Sequence, residues 1–446
     1  MNKRFFAALA LLLCLCMAIT GCGSNAAAPA NSGNSAAPAQ PAGPAEAPQQ
    51  DVYIDIWGLW QTDNYRALWM QAKADEYAAL HPGVTIEYIY QNSYSGVAEK
   101  LTAGAMSGEL PVLAQMEESF ITMFNPILLN IADYMDEATV NNYNKGLLAN
   151  SYWDGKLLAV PSNRSMPVLY LNTDILEAAG LDPAGPQTWD ELYTYAKAIH
   201  EKTDKYGFAI FWDSDAWVWE SALYSWGGQV TSDDAKTVTF GDNDAGVHVV
   251  ELYQKMVSEG IAYEAFSAGA EPTDANQALF LEGELGMYIG SCGVYGKLSG
   301  NEALNIKVNF MPQGSTRSAV TGGANWVLPQ GSSDAEIEHA IGYLKYLAED
   351  ANVIDWMLTS GYLPGTDSAM QSAEGKALIA DDPNYQILID QLQYAHTRPT
   401  TPYWREFYYY IVEKLELAMI SPDTTDAHAL IADCVAKCQA IIEANG

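Results

Sequence analysis

Basic side chains are scarce here: 22 Lys and Arg stand against 55 Asp and Glu, a formal net charge of −33 over 446 residues. A nucleic-acid partner draws its affinity from Lys and Arg neutralising phosphates, so that class is excluded. Long hydrophobic runs are missing too, apart from one at the extreme N-terminus. No internal segment approaches the roughly 20 apolar residues a membrane-spanning helix needs. Cysteine is rare, six in all, and implies no disulfide framework. Cys434 and Cys438 sit four apart in a helical pattern without a nearby His or second Cys pair to complete a tetrahedral metal site, and they read as small packed hydrophobes. Catalytic signatures are lacking as well. There is no G-x-S-x-G elbow and no G-x-x-x-x-G-K-[ST] loop, and His200-Glu201 lacks the second His of a zinc-protease helix. Asp242-Asn243-Asp244 with Gly246 lacks the distal Glu and ligand spacing of a calcium loop and reads as a helix-capping turn. Neither metal nor cofactor is expected. What is present is apolar material, 49% of residues against 17% charged, enough for a large core in roughly two or three domains.

Lys3 and Arg4 precede an apolar run from Phe5 to Ile19, the layout of a secretory signal. The run closes on Ile19-Thr20-Gly21-Cys22, which resembles the bacterial lipobox, in which the Cys thiol is acylated and becomes the first mature residue. Residues 1–21 are therefore expected to be a lipoprotein signal peptide and Cys22 the lipidation site. Residues 22–50, the lipidated Cys and a stretch of Ala, Pro, Ser, Gly, Asn and Gln, cannot bury apolar surface and read as a disordered tether. Such a tether holds the body within on the order of 30 Å of its anchor. The expected location is extracytoplasmic, on the outer face of the cell membrane, with the lipid as sole membrane contact.

From Val52 onward strands and helices alternate. Val52, Ile54 and Ile56 mark a strand, and Tyr65, Leu68, Trp69 and Ala72 a helix face that His81-Pro82-Gly83 ends. Val84 to Tyr90 marks a second strand, followed by helix through Lys100 to Met106. This βαβα order points to parallel sheet covered by helices. Thr188 with Glu191 forms a capping box before Leu192, Tyr195, Ala196 and Ile199. Asp242 or Asp244 caps a helix carrying Val249, Leu252, Tyr253, Met256 and Val257 that ends at Gly260. Ala427 to Asn445 closes the chain. A body of this length without an internal linker implies two α/β lobes that the chain enters more than once.

Aromatic choice is skewed, with 12 Trp and 27 Tyr against 11 Phe. Rings with a polar tip suit half-wet surfaces that stack on sugar C–H faces. The densest group is Trp212, Trp217, Trp219, Tyr224 and Trp226, where core burial competes with a cleft role for each ring. Among so many acids a pair placed for glycoside hydrolysis is the enzymatic alternative, a secreted glycan-active hydrolase using two cleft carboxylates.

Several spaced motifs then resemble the bacterial extracellular solute-binding proteins, family 1, which serve ABC importers of sugars and sugar derivatives. They are Tyr152-Trp153-Asp154-Gly155-Lys156 leading to Ala159-Val160-Pro161, and Val168-Leu169-Tyr170-Leu171-Asn172 with Thr188-Trp189-Asp190-Glu191-Leu192. Phe280-Leu281-Glu282-Gly283-Glu284-Leu285-Gly286-Met287, Gly322-Gly323 before Trp326, and Gly361-Tyr362-Leu363-Pro364 follow in order. The resemblance implies a two-lobe periplasmic-binding-protein-like fold of type II, with lobes at 51–165 plus 312–349 and 166–311 plus 350–446. Crossings would lie near residues 165, 311 and 349. It implies a non-enzymatic monomer that closes on a carbohydrate or polyol derivative and hands it to ABC permease subunits. The likeness to the glycerol-3-phosphate-binding branch places ligand contacts at Tyr94, Glu117, Ser165, Ser291, Gly322 and Tyr362. Trp60, Trp217, Trp219, Gly323 and Arg405 complete the expected ligand-binding set. Where that branch sets an Arg against phosphate, the segment Pro402 to Tyr408 aligns a Tyr, with Arg398 and Arg405 only nearby, so a neutral sugar is the better expectation.

Overall fold

The computed structural model describes residues 51–210, 216–269, 272–398, 401 and 403–445. The signal, Cys22 and the tether lie outside the described residues, as does Trp212. Strand β1 (Val52–Gly58) alternates as expected, with Val52, Ile54 and Ile56 buried and Tyr53 exposed. Helix α1 (Tyr65–Leu80) starts where the Asn64 side chain accepts from the Arg66 amide at 3.0 Å. Its buried face is Ala67, Met70, Ala74 and Tyr77, while Leu68 is 56% exposed and Ala72 is exposed. This corrects the expected stripe: in an alanine-rich helix two faces satisfy the apolar period, and Met70 and Tyr77 supply the bulk on the one that packs.

Strands β2 (Val84–Tyr90) and β3 (Leu113–Glu117) run parallel to β1 on either side of it. Helix α2 (Tyr94–Ser107) connects them. Strand β4 (Ala159–Ser165) forms the far edge of this sheet, whose fifth strand, β10 (Gly322–Val327), runs antiparallel between β3 and β4. Only Met166, fully buried, separates β4 from β5 (Pro167–Asn172), which belongs to a second sheet. That sheet is completed by β6 (Tyr206–Ala209), β7 (Ala262–Tyr263), β8 (Leu285–Ser291) and β9 (Ile306–Asn309), in the order β9-β5-β8-β6-β7. The chain returns from β9 to the first sheet at β10.

Helix α3 (Trp189–Thr203) has the expected capping box and buries Leu192, Ala196 and Ile199. Helix α4 (Trp217–Ser225) and helix α5 (Ala245–Ser258) cover the second sheet. At α5 Asp244 is the N-cap residue, one of the two expected, but its side chain makes no capping hydrogen bond; the Asn243 Oδ1 accepts from the Ala245 amide at 3.0 Å instead. Helices α6 (Asp334–Leu347) and α7 (Asp350–Ser360) follow β10, and α8 (Trp404–Ile420) and α9 (Ala427–Asn445) end the described chain. No helix among the described residues is long and apolar enough to cross a membrane.

The first sheet is sandwiched between two apolar clusters. One runs from Ile54 and Met70 to Trp326 and Tyr343, and the other from Leu59 and Val97 to Met116 and Val327. A third and larger cluster surrounds the second sheet and takes in Cys434 and Cys438, which are free thiols and fully buried.

Candidate functional site

In open α/β sheets ligands bind beyond the carboxyl ends of the strands. Here Trp60 follows β1, Glu117 ends β3, Ser165 ends β4 and Ser291 ends β8. The antiparallel β10 starts at the same end, with Gly322 opposite Ser165 and Ala324 opposite Glu117.

One end of this region is a buried charge cluster. Glu117 is 2% exposed, and the Arg398 Nη1 and Arg405 Nη1 atoms lie 3.2 Å from its two carboxylate oxygens. Arg398 Nε also stands 3.3 Å from Glu220 Oε2 on α4 and 3.9 Å from Glu118 Oε1. Glu118 is paired in turn with the fully buried Arg164. Among the described residues three carboxylates thus face three guanidinium groups. Burial raises the Glu117 pKa above its ordinary value, and Arg398 and Arg405 pull against that shift. A hydrolytic pair needs an open gap between its carboxyls for the scissile bond, and here Arg398 fills the space between Glu117 and Glu220.

The other end is aromatic. Tyr362 stacks on Trp356 with centroids 5.6 Å apart, and Trp60 lies 6.0 Å from Trp356 and 6.3 Å from Tyr362. Arg66, from the first turn of α1, places its guanidinium carbon 5.6 Å from the Trp60 centroid, 4.8 Å from Tyr65 and 5.3 Å from Tyr362. Its Nη2 donates to the Gly293 carbonyl, just past the end of β8. A Cβ on Gly293 would fall 2.5 Å from the Tyr362 ring, so the close approach of these segments depends on that glycine.

Between the two ends sits Tyr94, whose hydroxyl accepts from Asn163 Nδ2 at 3.2 Å. Burial, with Tyr362 and Glu117 nearby, holds its phenol well above the ordinary value. Gly323 has φ +94°, and a Cβ there would lie 2.0 Å from the Asn163 carbonyl oxygen, so no other residue fits. At Gly322 the Trp217 indole packs 3.2 Å from where a Cβ would stand. Ser291 turns its hydroxyl inward along the chain to accept from the Gly293 amide at 3.1 Å.

Of the residues expected from sequence, Trp60, Tyr94, Glu117, Ser165, Trp217, Ser291, Gly322, Gly323, Tyr362 and Arg405 are brought to this one region. Trp219 is not. It is fully buried and meets Phe240 edge-on at 5.4 Å in the core of the second sheet. Two positions along a helix is about 200°, so Trp217 and Trp219 face opposite ways. Sequence reasoning missed Arg66, Glu118, Arg164 and Glu220. Glu220 carried a readable signal, a lone acid inside the apolar run from Trp217 to Leu223. Glu118 adjoins a residue already singled out.

Two helix-covered sheets, joined where a strand of one leads directly into a strand of the other, define a two-lobe α/β fold of the periplasmic-binding-protein type. Solved structures share this fold. UgpB from Mycobacterium tuberculosis, in complex with glycerophosphocholine, superposes with a TM-score of 0.77 at 20% identity over 88% of this chain and 98% of that one. The cyclic alpha-maltosyl-1,6-maltose binding protein from Arthrobacter globiformis gives 0.75 at 22% identity over 89% and 100%. The chain belongs to the bacterial extracellular solute-binding protein family, whose model matches residues 72–386. Among curated relatives, the sn-glycerol-3-phosphate-binding periplasmic protein UgpB of Pectobacterium atrosepticum is 26% identical over 342 residues, 72% of this chain and 75% of the relative. The protein of the same name from Salmonella typhimurium is 25% identical over 341 residues, 72% and 76% of the two chains.

Proposed function

We propose that this protein is the solute receptor of an ABC importer, held to the outer face of the membrane by a lipid on Cys22 and acting as a monomer. Residues 51–165 with 312–349 form one lobe and residues 166–311 with 350–446 the other. The lobes close on a carbohydrate or polyol derivative, and the closed shape is what the permease subunits read. Ligand that touches both lobes binds the closed form better than the open one and shifts the population toward it. The observation that supports this most is the convergence of Glu117 and Gly322 from one sheet with Ser291 and Glu220 from the other half. Hydroxyls and backbone amides suit a polyhydroxylated guest, and Trp60 and Tyr362 supply faces for its C–H surface.

Thermal unfolding against a panel of sugars, polyols and their phosphates tests the reading, with scattering on any pair that responds. Stabilisation without product, together with a smaller radius of gyration, is expected. Turnover of a glycan, or identical scattering curves with and without a stabilising ligand, would overturn it. Palmitate labelling that is lost in Cys22→Ala tests the anchor.

A further inference from the structure

Resting on the receptor reading, we propose that Arg66 is the residue that sets the charge of the cargo, and that the cargo carries a single negative charge, a carboxylate or a phosphodiester, beside the part that lies on Trp60 and Tyr362. Arg66 lies outside the set of contacts implied by the family resemblance. It differs from the three guanidinium groups at the other end of the site. Arg164, Arg398 and Arg405 each face a glutamate, whereas no carboxylate among the described residues lies within ion-pair distance of Arg66. Its charge is held among the rings of Trp60, Tyr65 and Tyr362, which attract a cation without neutralising it.

A guanidinium has five N–H donors, and the Gly293 carbonyl takes one from Nη2. The Nε atom is buried and meets no acceptor among the described residues. An unmet donor on a charged group is costly, which favours a partner that brings an acceptor with charge. The location is suited to that role, because Tyr94 feels Arg66, Tyr362 and Glu117 together and so marks the point where both ends of the site meet. At this site a doubly charged phosphomonoester meets one guanidinium that no carboxylate pairs, because Arg164, Arg398 and Arg405 are each taken up by a glutamate, so its second charge has no partner.

Calorimetry on the full chain decides the matter, with four probe classes: hexuronates, glycerophosphodiesters, the neutral hexoses and glycerol glycosides that match them, and glycerol-3-phosphate. Binding confined to one singly charged class is expected, and which of the two responds identifies the source of the charge. Arg66→Gln should weaken that ligand by about 10- to 100-fold, as for a lost charge-assisted hydrogen bond. Arg66→Lys should recover part of the loss, and the thermal midpoint of the ligand-free protein serves as the folding control. If a neutral probe binds as tightly as its charged counterpart, or if Arg66→Gln weakens neutral and charged probes alike, the charge assignment is wrong while the receptor reading stands. If no probe of any class binds, the receptor reading itself fails.

Discussion

Arg398→Met tests the charge cluster directly. In the native protein Arg398 is 3% exposed, and its guanidinium touches Glu117 at 3.2 Å and Glu220 at 3.3 Å, with Glu118 at 3.9 Å. Methionine fills much of the volume and removes the charge, leaving three buried carboxylates with Arg164 and Arg405. Removing one partner of a buried ion pair costs about 3–5 kcal/mol, because the remaining charge keeps its desolvation penalty. The variant can shed that penalty by unfolding earlier or by parting the two sheets and hydrating its acids. Denaturant titration reads the first and the scattering radius reads the second. The pH dependence follows from Glu117, whose native pKa already lies above its ordinary value through burial. Between the two values the native state binds more protons than the unfolded state, so stability increases as pH falls through that window. Without Arg398 the native value rises further. The deficit of the variant relative to the parent should therefore be larger at about pH 7.5 than at about pH 5.5. Adding Glu220→Gln should recover part of it, with a coupling of about 1–3 kcal/mol. A loss below about 1 kcal/mol with an unchanged radius, or a deficit that grows as pH falls, would refute the account.

Trp219→Ala should destabilise the fold by about 3–5 kcal/mol through its cavity, while calorimetry finds unchanged ligand affinity in the folded fraction; a selective loss of binding would return Trp219 to the site. Burial pushes the thiols of Cys292 and Cys434 up to about 12, so both should resist alkylation in the native protein at about pH 8 and react on unfolding, as read by peptide mapping. His396, stacked on Tyr224 with centroids 4.4 Å apart, has its pKa lowered by burial. The unfolded state then takes up that proton first, so stability should decline as pH drops below about 6.5 toward the native value. Denaturation of His396→Gln across this range should show a shallower slope.

Local signals were legible wherever chemistry within a few residues decides the structure. Thr188 and Glu191 cap α3 reciprocally, as their spacing requires, and Ala427–Asn445 is helical over the span that its pattern marks. The first strand alternates as written. Which face a helix buries is decided by the neighbour it meets, and for α1 and α4 the sequence does not hold that information. Leu68 therefore points to solvent, and Trp219 to the core. The ion cluster was hidden for a related reason. Arg398 and Glu220 are 178 residues apart, and although the apolar run around Glu220 marks it as interior, nothing local says which arginine it will meet or sets Glu117 and Glu118 apart from the many surface acids. Most residues that the resemblance implies fall in one region because its motifs fix backbone geometry. Gly323 with φ +94° against the Asn163 carbonyl is such a position. Arg66, proposed above to set the charge of the cargo, lies outside those motifs.

The way the two halves meet bears on how they move. The first sheet has two apolar clusters and the second its own, and α7 with the segment after it contributes to both sides: Trp356 and Tyr362 pack with the first sheet, Val353, Met357 and Leu363 with the second. At the site itself ring contacts, Trp217 on Gly322 and Tyr362 on Gly293, stand beside polar connections. Arg398 joins Glu117 to Glu220, and Arg66 joins α1 to Gly293. An apolar seam parts only at about 25 cal/mol for each Å² exposed. A hydrogen bond exchanged for water has a net cost of only about 1 kcal/mol, and ions returned to water recover the hydration that burial had removed. Deleting one ion is therefore costly, while separating the whole network as a set is cheap. On the receptor reading proposed above, parting the polar contacts at the Glu117 end exposes little core, and the balance between open and closed forms falls to the contacts a bound solute makes with both halves.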